Sequence, residues 1–228
     1  MPLSGGLPGD PVKPTAPVFY LHGFTSSPQS TKVGYLRDRL SAHGVELRCP
    51  DFNEPDFATL TMTRMLEQLA RELAPIEEPA TLIGSSLGGT LAILAADRLA
   101  SQVERLVLLA PAVMFAKPGH HLLPPGRVEE WRERGALPFF HHSRGEEALL
   151  SYSFYEDSLQ YDAFGAALTQ PALIFQGLHD ASVDARTVET FARRRPNVTL
   201  SLLEDDHQLL ASLPRIWDGI AFFLDLHD

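Results

Sequence analysis

Short apolar runs alternate along the chain with segments of helical periodicity, and this alternation constrains the fold more than any other feature. A strand followed by a helix and a second parallel strand forms a right-handed crossover, so repeated units build a parallel sheet covered on both faces. We therefore predict an α/β fold with a mostly parallel central sheet of about six strands. The candidate strands are VFYLHG from Val18, VELRCP from Val45, TLIGS from Thr81, VERLVLLAP from Val103, PALIFQG from Pro171 and NVTLSLL from Asn197.

Five segments between or after these strands have apolar residues at helical spacing. Ser27 and Pro28 are expected to begin the first helix, and Gly44 to end it. The apolar stripes are Val33, Leu36 and Leu40; Met62, Met65, Leu66, Leu69 and Leu73; the segment LGGTLAILAADRLA from Leu87; Val188, Phe191 and Ala192; and Leu213, Ile216, Trp217, Ile220 and Phe223.

The chain of 228 residues fits one domain of this class. Residues 1–17 are rich in Pro and Gly and are interpreted as a flexible leader, which leaves residues 18–228 as a single domain. Residues 112–168 show no strand pattern and are rich in aromatic residues, histidines and Pro/Gly breaks. A connection of this length is typical of a lid or binding element, so we predict a short, mostly helical cap.

The formal net charge is −10, which repels phosphate backbones, so nucleic acid is not an expected partner. The single cysteine, Cys49, excludes an intrachain disulfide. The N-terminus lacks the pattern of a signal peptide, and the longest apolar run, Leu106 to Ala116, is shorter than the roughly 18 residues of a spanning helix. We expect a cytoplasmic protein with no membrane span, and the oligomeric state stays open.

The pentapeptide Gly84-Ser85-Ser86-Leu87-Gly88 fits the pattern G-x-S-x-G. The pattern is common by chance, but here it lies between an apolar strand and an Ala/Leu-rich helix. On such a sharp turn the serine hydroxyl is exposed, and the glycines allow neighbouring backbone to approach. We therefore predict Ser86 as a nucleophile, whereas Ser85 is at the wrong offset.

A serine hydroxyl is a weak nucleophile until a base accepts its proton. Enzymes that carry this turn on a parallel sheet place the acid and the histidine after the serine in the chain. His207 follows the last predicted strand and Asp180 follows the fifth, so we predict His207 as base and Asp180 as the acid that orients it. Asp184 is interpreted as a helix cap, and Asp205 and Asp206 lie too near His207 in sequence to orient it.

The oxyanion of a tetrahedral intermediate needs backbone donors. We predict the N–H groups of Leu87 and Phe24 as these donors, because Leu87 follows the serine and Phe24 lies in the loop after the first strand. His22 is interpreted as a hydrogen-bonded residue that shapes this loop.

The histidine pairs His120/His121 and His141/His142 lack a carboxylate or cysteine that would complete a metal-ligand pattern. We therefore expect no metal site and no cofactor. Six aromatic residues of the cap either line an acyl pocket or attach the cap to the core, and the sequence leaves both alternatives open. These residues are Phe115, Trp131, Phe139, Phe140, Phe154 and Tyr155.

The stretch FYLHGFTSSPQSTK, followed by a helix and then IGSSLGG, resembles the small bacterial esterases of the YqiA/YcfP type within the α/β-hydrolase superfamily. The resemblance implies the triad Ser86, Asp180 and His207, with Phe24 and Leu87 as oxyanion donors. The sequence LEDDHQLL around His207 departs from the glycine-rich context of those enzymes, and the cap is longer and richer in histidine.

These features together favour hydrolysis of small-molecule carboxylic esters with short to medium acyl chains, through an acyl-serine intermediate. Thioester hydrolysis would use the same residues, and so would C–C bond or lactone hydrolysis. A non-catalytic binding module on the same fold is a further alternative, because a fold alone does not define an activity. The physiological substrate stays open.

Overall fold

The computed structural model describes residues 16–117 and 123–226. Most of the predicted leader and the pair His120/His121 lie outside these residues. The strands are β1 (Val18–Leu21), β2 (Leu47–Arg48), β3 (Ala80–Ser85), β4 (Val103–Leu109), β5 (Ala136–His141), β6 (Glu146–Ser151), β7 (Ala172–Gly177) and β8 (Val198–Leu203). The helices are α1 (Thr31–Ala42), α2 (Met62–Leu73), α3 (Leu87–Arg98), α4 (Pro125–Arg134), α5 (Ser153–Ser158), α6 (Ala185–Arg193) and α7 (Leu213–Phe223).

The central sheet has six parallel strands in the order β2-β1-β3-β4-β7-β8. Every residue of β1, β3 and β7 is buried, as expected for parallel strands with helices on both faces. The predicted α/β class and the number of strands are confirmed.

Two apolar clusters occupy the two faces of this sheet. Helices α1 and α7 contribute Leu36, Leu40, Ile216 and Ile220 to one cluster. Helices α2, α3 and α6 contribute to the other cluster, which also contains the buried residues of the cap. The helical stripes predicted from the sequence therefore face the sheet.

The register of β1 and β3 places the carboxyl ends of these two strands side by side. Leu21, the last residue of β1, pairs with Gly84 of β3. The chain continues from β1 toward the β2 edge and from β3 toward the β4 edge, so the loops after β1 and β3 diverge at this point. Such a switch point at the carboxyl ends of the strands forms a crevice, which is the usual position of a ligand in open α/β sheets.

The first helix begins later than predicted. Ser27 was expected at its N-terminus, but α1 begins at Thr31, with Ser30 in the N-cap position. The hydroxyl oxygen of Ser27 accepts a hydrogen bond from the N–H of Gln29, and the N–H of Ser30 donates to the carbonyl of Ser27. Ser27 therefore stabilises a preceding turn instead of the helix.

The cap is only partly helical, because it contains an antiparallel hairpin of β5 and β6 in addition to α4 and α5. The absence of strands predicted for residues 112–168 is therefore wrong. The reason is that β5 contains Pro138 and that Glu, Ala and Leu, which favour helices, dominate β6. Tertiary contacts select the hairpin instead: the indole N–H of the buried Trp131 donates to the carbonyl of Leu150, and the N–H of Ser151 donates to the carbonyl of Ala58.

Within the two described ranges, no helix combines the length and the apolar character that crossing a bilayer requires.

Candidate active site

Ser86 lies on a strained turn between β3 and α3. Its φ of 53° and ψ of −114° are costly for a residue with a Cβ, by about 1–3 kcal/mol. Hydrogen bonds hold this conformation: the Ser86 N–H donates to the carbonyl of Leu109, and the Ser86 carbonyl accepts from the N–H groups of Gly89, Thr90 and Ala112. The turn therefore projects the Ser86 side chain from the carboxyl edge of the sheet.

The glycines of the motif permit a close approach of backbone segments. A Cβ on Gly88 would collide with the carbonyl oxygen of Leu21, and a Cβ on Gly84 would collide with the carbonyl of Gly88. The start of α3 therefore lies directly against the end of β1. This contact brings the loop that follows β1 over Ser86, where a Cβ on Gly23 would lie 3.4 Å from the Ser86 Cβ.

The structure brings Ser86, His207 and Asp180 into one hydrogen-bonded chain. Nε2 of His207 lies 3.0 Å from Oγ of Ser86, and Nδ1 lies 2.7 Å from Oδ2 of Asp180. An ionised carboxylate only accepts hydrogen bonds, so Nδ1 carries the proton and Nε2 is free to accept one from the serine. In this tautomer the imidazole is positioned as a base toward Ser86.

Asp180 is held by more than the histidine. Its side chain is fully buried, and Oδ1 accepts hydrogen bonds from the N–H groups of Ser182 and Val183, each at 2.8 Å. Burial acts to raise the pKa of Asp180, but the hydrogen bonds from His207 and these N–H groups outweigh it and hold the pKa below its ordinary value. The carboxyl group therefore stays ionised beside the imidazole.

Gln176, at the end of β7, is a residue of this site that the sequence analysis missed. The side chain is completely buried, and its Nε2 donates to Oδ2 of Asp180 at 2.9 Å and to the carbonyl of Val183. The sequence feature that could have indicated this role is a glutamine inside an otherwise apolar strand. Asp184, in contrast, caps α6 by accepting from the N–H groups of Arg186 and Thr187.

The two residues predicted as oxyanion donors both lie beside Ser86. Phe24 and Leu87 both line the cavity around Ser86, and neither N–H donates a hydrogen bond to another described residue. Two unpaired N–H groups next to a serine hydroxyl have the composition of an oxyanion hole.

Hydrogen bonds to His22 and Asn53 hold the loop that carries Phe24. Nε2 of His22 accepts from the N–H of Phe52 at 3.0 Å, which leaves Nδ1–H to donate to the carbonyl of Gly23. On the other side, the Asn53 amide donates to the carbonyl of Ser26 at 2.9 Å. The role expected for His22, shaping this loop, agrees with these contacts.

The cap reaches the same loop through His141, which is fully buried. Its Nε2–H donates to Oδ1 of Asn53 at 3.1 Å, and its Nδ1 accepts from the hydroxyl of Ser143. Burial lowers the pKa of His141, which favours the neutral ring that this pattern requires. His142 lines the cavity. In the described part of the chain, no three His, Cys, Asp or Glu side chains form a group suited to a metal ion.

A cavity of about 1090 Å³ surrounds Ser86 and His207. Of the six aromatic cap residues left open by the sequence analysis, only Phe115 lines this cavity, whereas Trp131 and Phe154 are buried in the core. The main apolar contacts of the lining come from Phe24, Leu87, Val113, Met114, Phe115 and Leu210.

Solved structures with this architecture cover most of the chain. A protein from Agrobacterium vitis S4 is 24% identical with a TM-score of 0.76, over 92% of this chain and 90% of that one. Alpha/beta hydrolase domain-containing protein 10 from mouse is 22% identical with a TM-score of 0.74, over 92% and 90%. Est1E from Butyrivibrio proteoclasticus, solved with ferulic acid bound, is 19% identical with a TM-score of 0.79, over 92% and 88%.

At these identities the similarity establishes the fold, which is that of the α/β hydrolases. No curated protein matches the sequence significantly. A family model described as "Uncharacterised protein family (UPF0227)" matches residues 17–224, which is nearly the whole chain and includes Ser86, Asp180 and His207. The chain therefore belongs to the UPF0227 family.

Proposed function

We propose that this protein is a serine hydrolase of the carboxylesterase class, which cleaves carboxylic esters through an acyl intermediate on Ser86. The observation that carries the proposal is the continuous hydrogen-bonded chain from Ser86 through His207 to the buried Asp180. A serine on a strained turn, a neutral imidazole and an ionised carboxylate are the components that make an alcohol reactive.

In the first step, Ser86 Oγ attacks the ester carbonyl while Nε2 of His207 accepts its proton. The imidazolium that forms is stabilised by Asp180, whose charge is maintained by the N–H groups of Ser182 and Val183. The negative charge that develops on the carbonyl oxygen is stabilised by the N–H groups of Phe24 and Leu87.

The tetrahedral intermediate collapses when His207 returns the proton to the leaving alcohol. This step leaves the acyl group on Ser86. Water then attacks the acyl carbonyl with His207 again as base, and a second collapse releases the acid and restores the serine. Every proton transfer in this cycle passes through Nε2. The tautomer fixed by Asp180 is therefore the one required for both formation and hydrolysis of the acyl-serine.

The cavity supports a substrate with a short to medium acyl group. The apolar residues of its lining, including Phe24, Met114 and Phe115, can contact an acyl chain. The similar structures include Est1E, which was solved with the aromatic acid ferulic acid. Thioesters, lactones and C–C bonds would use the same residues, but no contact that the described residues make in the cavity favours them over carboxylic esters.

We expect Ser86→Ala to lower kcat for p-nitrophenyl butyrate by at least about a thousandfold, because the nucleophile is removed. The matched control is Ser85→Ala, which removes a neighbouring hydroxyl and should retain activity within a few-fold. Steady-state kinetics and melting temperatures of both variants measure this difference. Substantial hydrolysis by folded Ser86→Ala protein would contradict the proposed nucleophile.

We expect Asp180→Asn to lower kcat by about two to four orders of magnitude. The N–H groups of Ser182 and Val183 favour the orientation that keeps the asparagine oxygen toward them. The amide N–H then donates to Nδ1 of His207, which places the imidazole proton on Nε2 and prevents it from accepting the serine proton. The control Asp184→Asn retains a good cap for α6 and should keep near wild-type kcat. If kcat fell equally in both variants, Asp180 would not be the residue that orients His207.

A panel of p-nitrophenyl esters with acyl chains from acetate to palmitate tests the substrate class. We expect kcat/KM to be highest for short to medium chains and to exceed that for acyl thioesters of matched length. Highest activity on palmitate, or on the thioesters, would overturn the assigned preference while leaving the mechanism unchanged.

A further inference from the structure

Lys32, the second residue of α1, has an unusual environment for a lysine. Only 9% of the residue is exposed, and it lines the cavity that contains Ser86 and His207. Within the described part of the chain, its ammonium group has no ion-pair or hydrogen-bond partner. Because most of this side chain is removed from water while its ammonium group has no partner in the protein, this position points to a partner that is supplied by a ligand.

Nearby carboxylates help Lys32 to stay charged. Burial lowers its pKa to about 8, and Asp206, Asp180 and Asp205 act in the opposite direction, so most of the side chain is an ammonium ion at pH 7. Each of these aspartates already accepts hydrogen bonds from other groups. They therefore support the positive charge through the electric field, without binding the ammonium group.

The N-terminus of α1 adds further donors to the same wall of the cavity. Ser30 occupies the N-cap position but makes no capping hydrogen bond with its side chain, and its buried Oγ has no partner. The first turn of α1 contains no acidic residue, so no carboxylate of the helix itself compensates the positive end of its dipole. Gln29, Ser30, Thr31 and Lys32 all line the cavity.

We propose that Lys32, Ser30 and the N-terminus of α1 form a subsite for a carboxylate that the ester substrate carries away from its scissile bond. A single carboxylate fits better than a polyanion, because three aspartates lie close to Lys32 and the protein has a net charge of −10. This inference rests on the proposed ester hydrolysis and names the class of ester: one with a free carboxylate.

Two matched pairs of substrates test the subsite. p-Acetoxybenzoate and p-acetoxybenzamide differ in a carboxylate on the alcohol side, and p-nitrophenyl hydrogen adipate and p-nitrophenyl hexanoate differ in one on the acyl side. We expect the charged ester of at least one pair to have a kcat/KM about tenfold higher in the wild-type protein. Equal or better hydrolysis of the neutral ester in both pairs would overturn the proposal.

The variant Lys32→Met should reduce the ratio of kcat/KM for the charged ester to that for the neutral ester to near unity. The kcat/KM for the neutral ester itself should change by less than about threefold. Arg37→Met, an exposed position on the same helix, removes one positive charge elsewhere and should keep the preference. Ser30→Ala should reduce the preference by a few-fold, and its folding should be unaffected because the hydroxyl has no partner. A preference that survives Lys32→Met, or an equal loss on charged and neutral esters, would contradict carboxylate binding.

A binding measurement separates failure of the subsite from failure of the proposed hydrolysis. In the Ser86→Ala background, calorimetric titration should show p-acetoxybenzoate or monomethyl adipate binding about tenfold more tightly than p-acetoxybenzamide or the amide of monomethyl adipate, respectively. Adding Lys32→Met should abolish the difference without lowering the melting temperature, because an apolar side chain replaces a buried unpaired charge. Equal affinities for acid and amide in both pairs would exclude the subsite, whether or not the protein hydrolyses esters.

Discussion

The close contact between the start of α3 and the end of β1 is the constraint on which the candidate site depends. Gly88 lies against the carbonyl of Leu21 with no room for a Cβ. This contact places the loop after β1 beside the strained Ser86, with Gly23 directly against it. The candidate nucleophile and a candidate oxyanion donor therefore become neighbours through backbone packing, before any side-chain interaction is considered.

The two buried charged side chains of the site, Asp180 and Lys32, have different surroundings. Asp180 is buried and fully hydrogen-bonded, so its charge orients His207 and is not available to a substrate. Lys32 is buried and unpaired, so its charge is available. The protein as a whole is acidic, and this lysine gives the cavity a local site of opposite sign. The acidic surface and a preference for a singly charged substrate are therefore compatible.

The sequence was sufficient to predict the sheet, because strand and helix periodicities are local and the crossovers have one hand. It also predicted which of nine histidines meets Ser86, since chain order and strand ends restrict the candidates. It did not predict the β5–β6 hairpin, because β5 contains Pro138 and the residues of β6 favour helices, or the later start of α1, where Ser27 stabilises a turn. Gln176, His141 and Lys32 were missed because their roles depend on tertiary burial, which local patterns do not report.

Mass spectrometry of the protein after reaction with a fluorophosphonate probe shows whether Ser86 is reactive, because the probe reacts with activated serines. We expect one adduct per chain, located on Ser86, and no adduct when His207 is replaced by alanine. An adduct on a different residue, or labelling of Ser86 that is unchanged without His207, would contradict the claim that these distant side chains together make the Ser86 hydroxyl reactive.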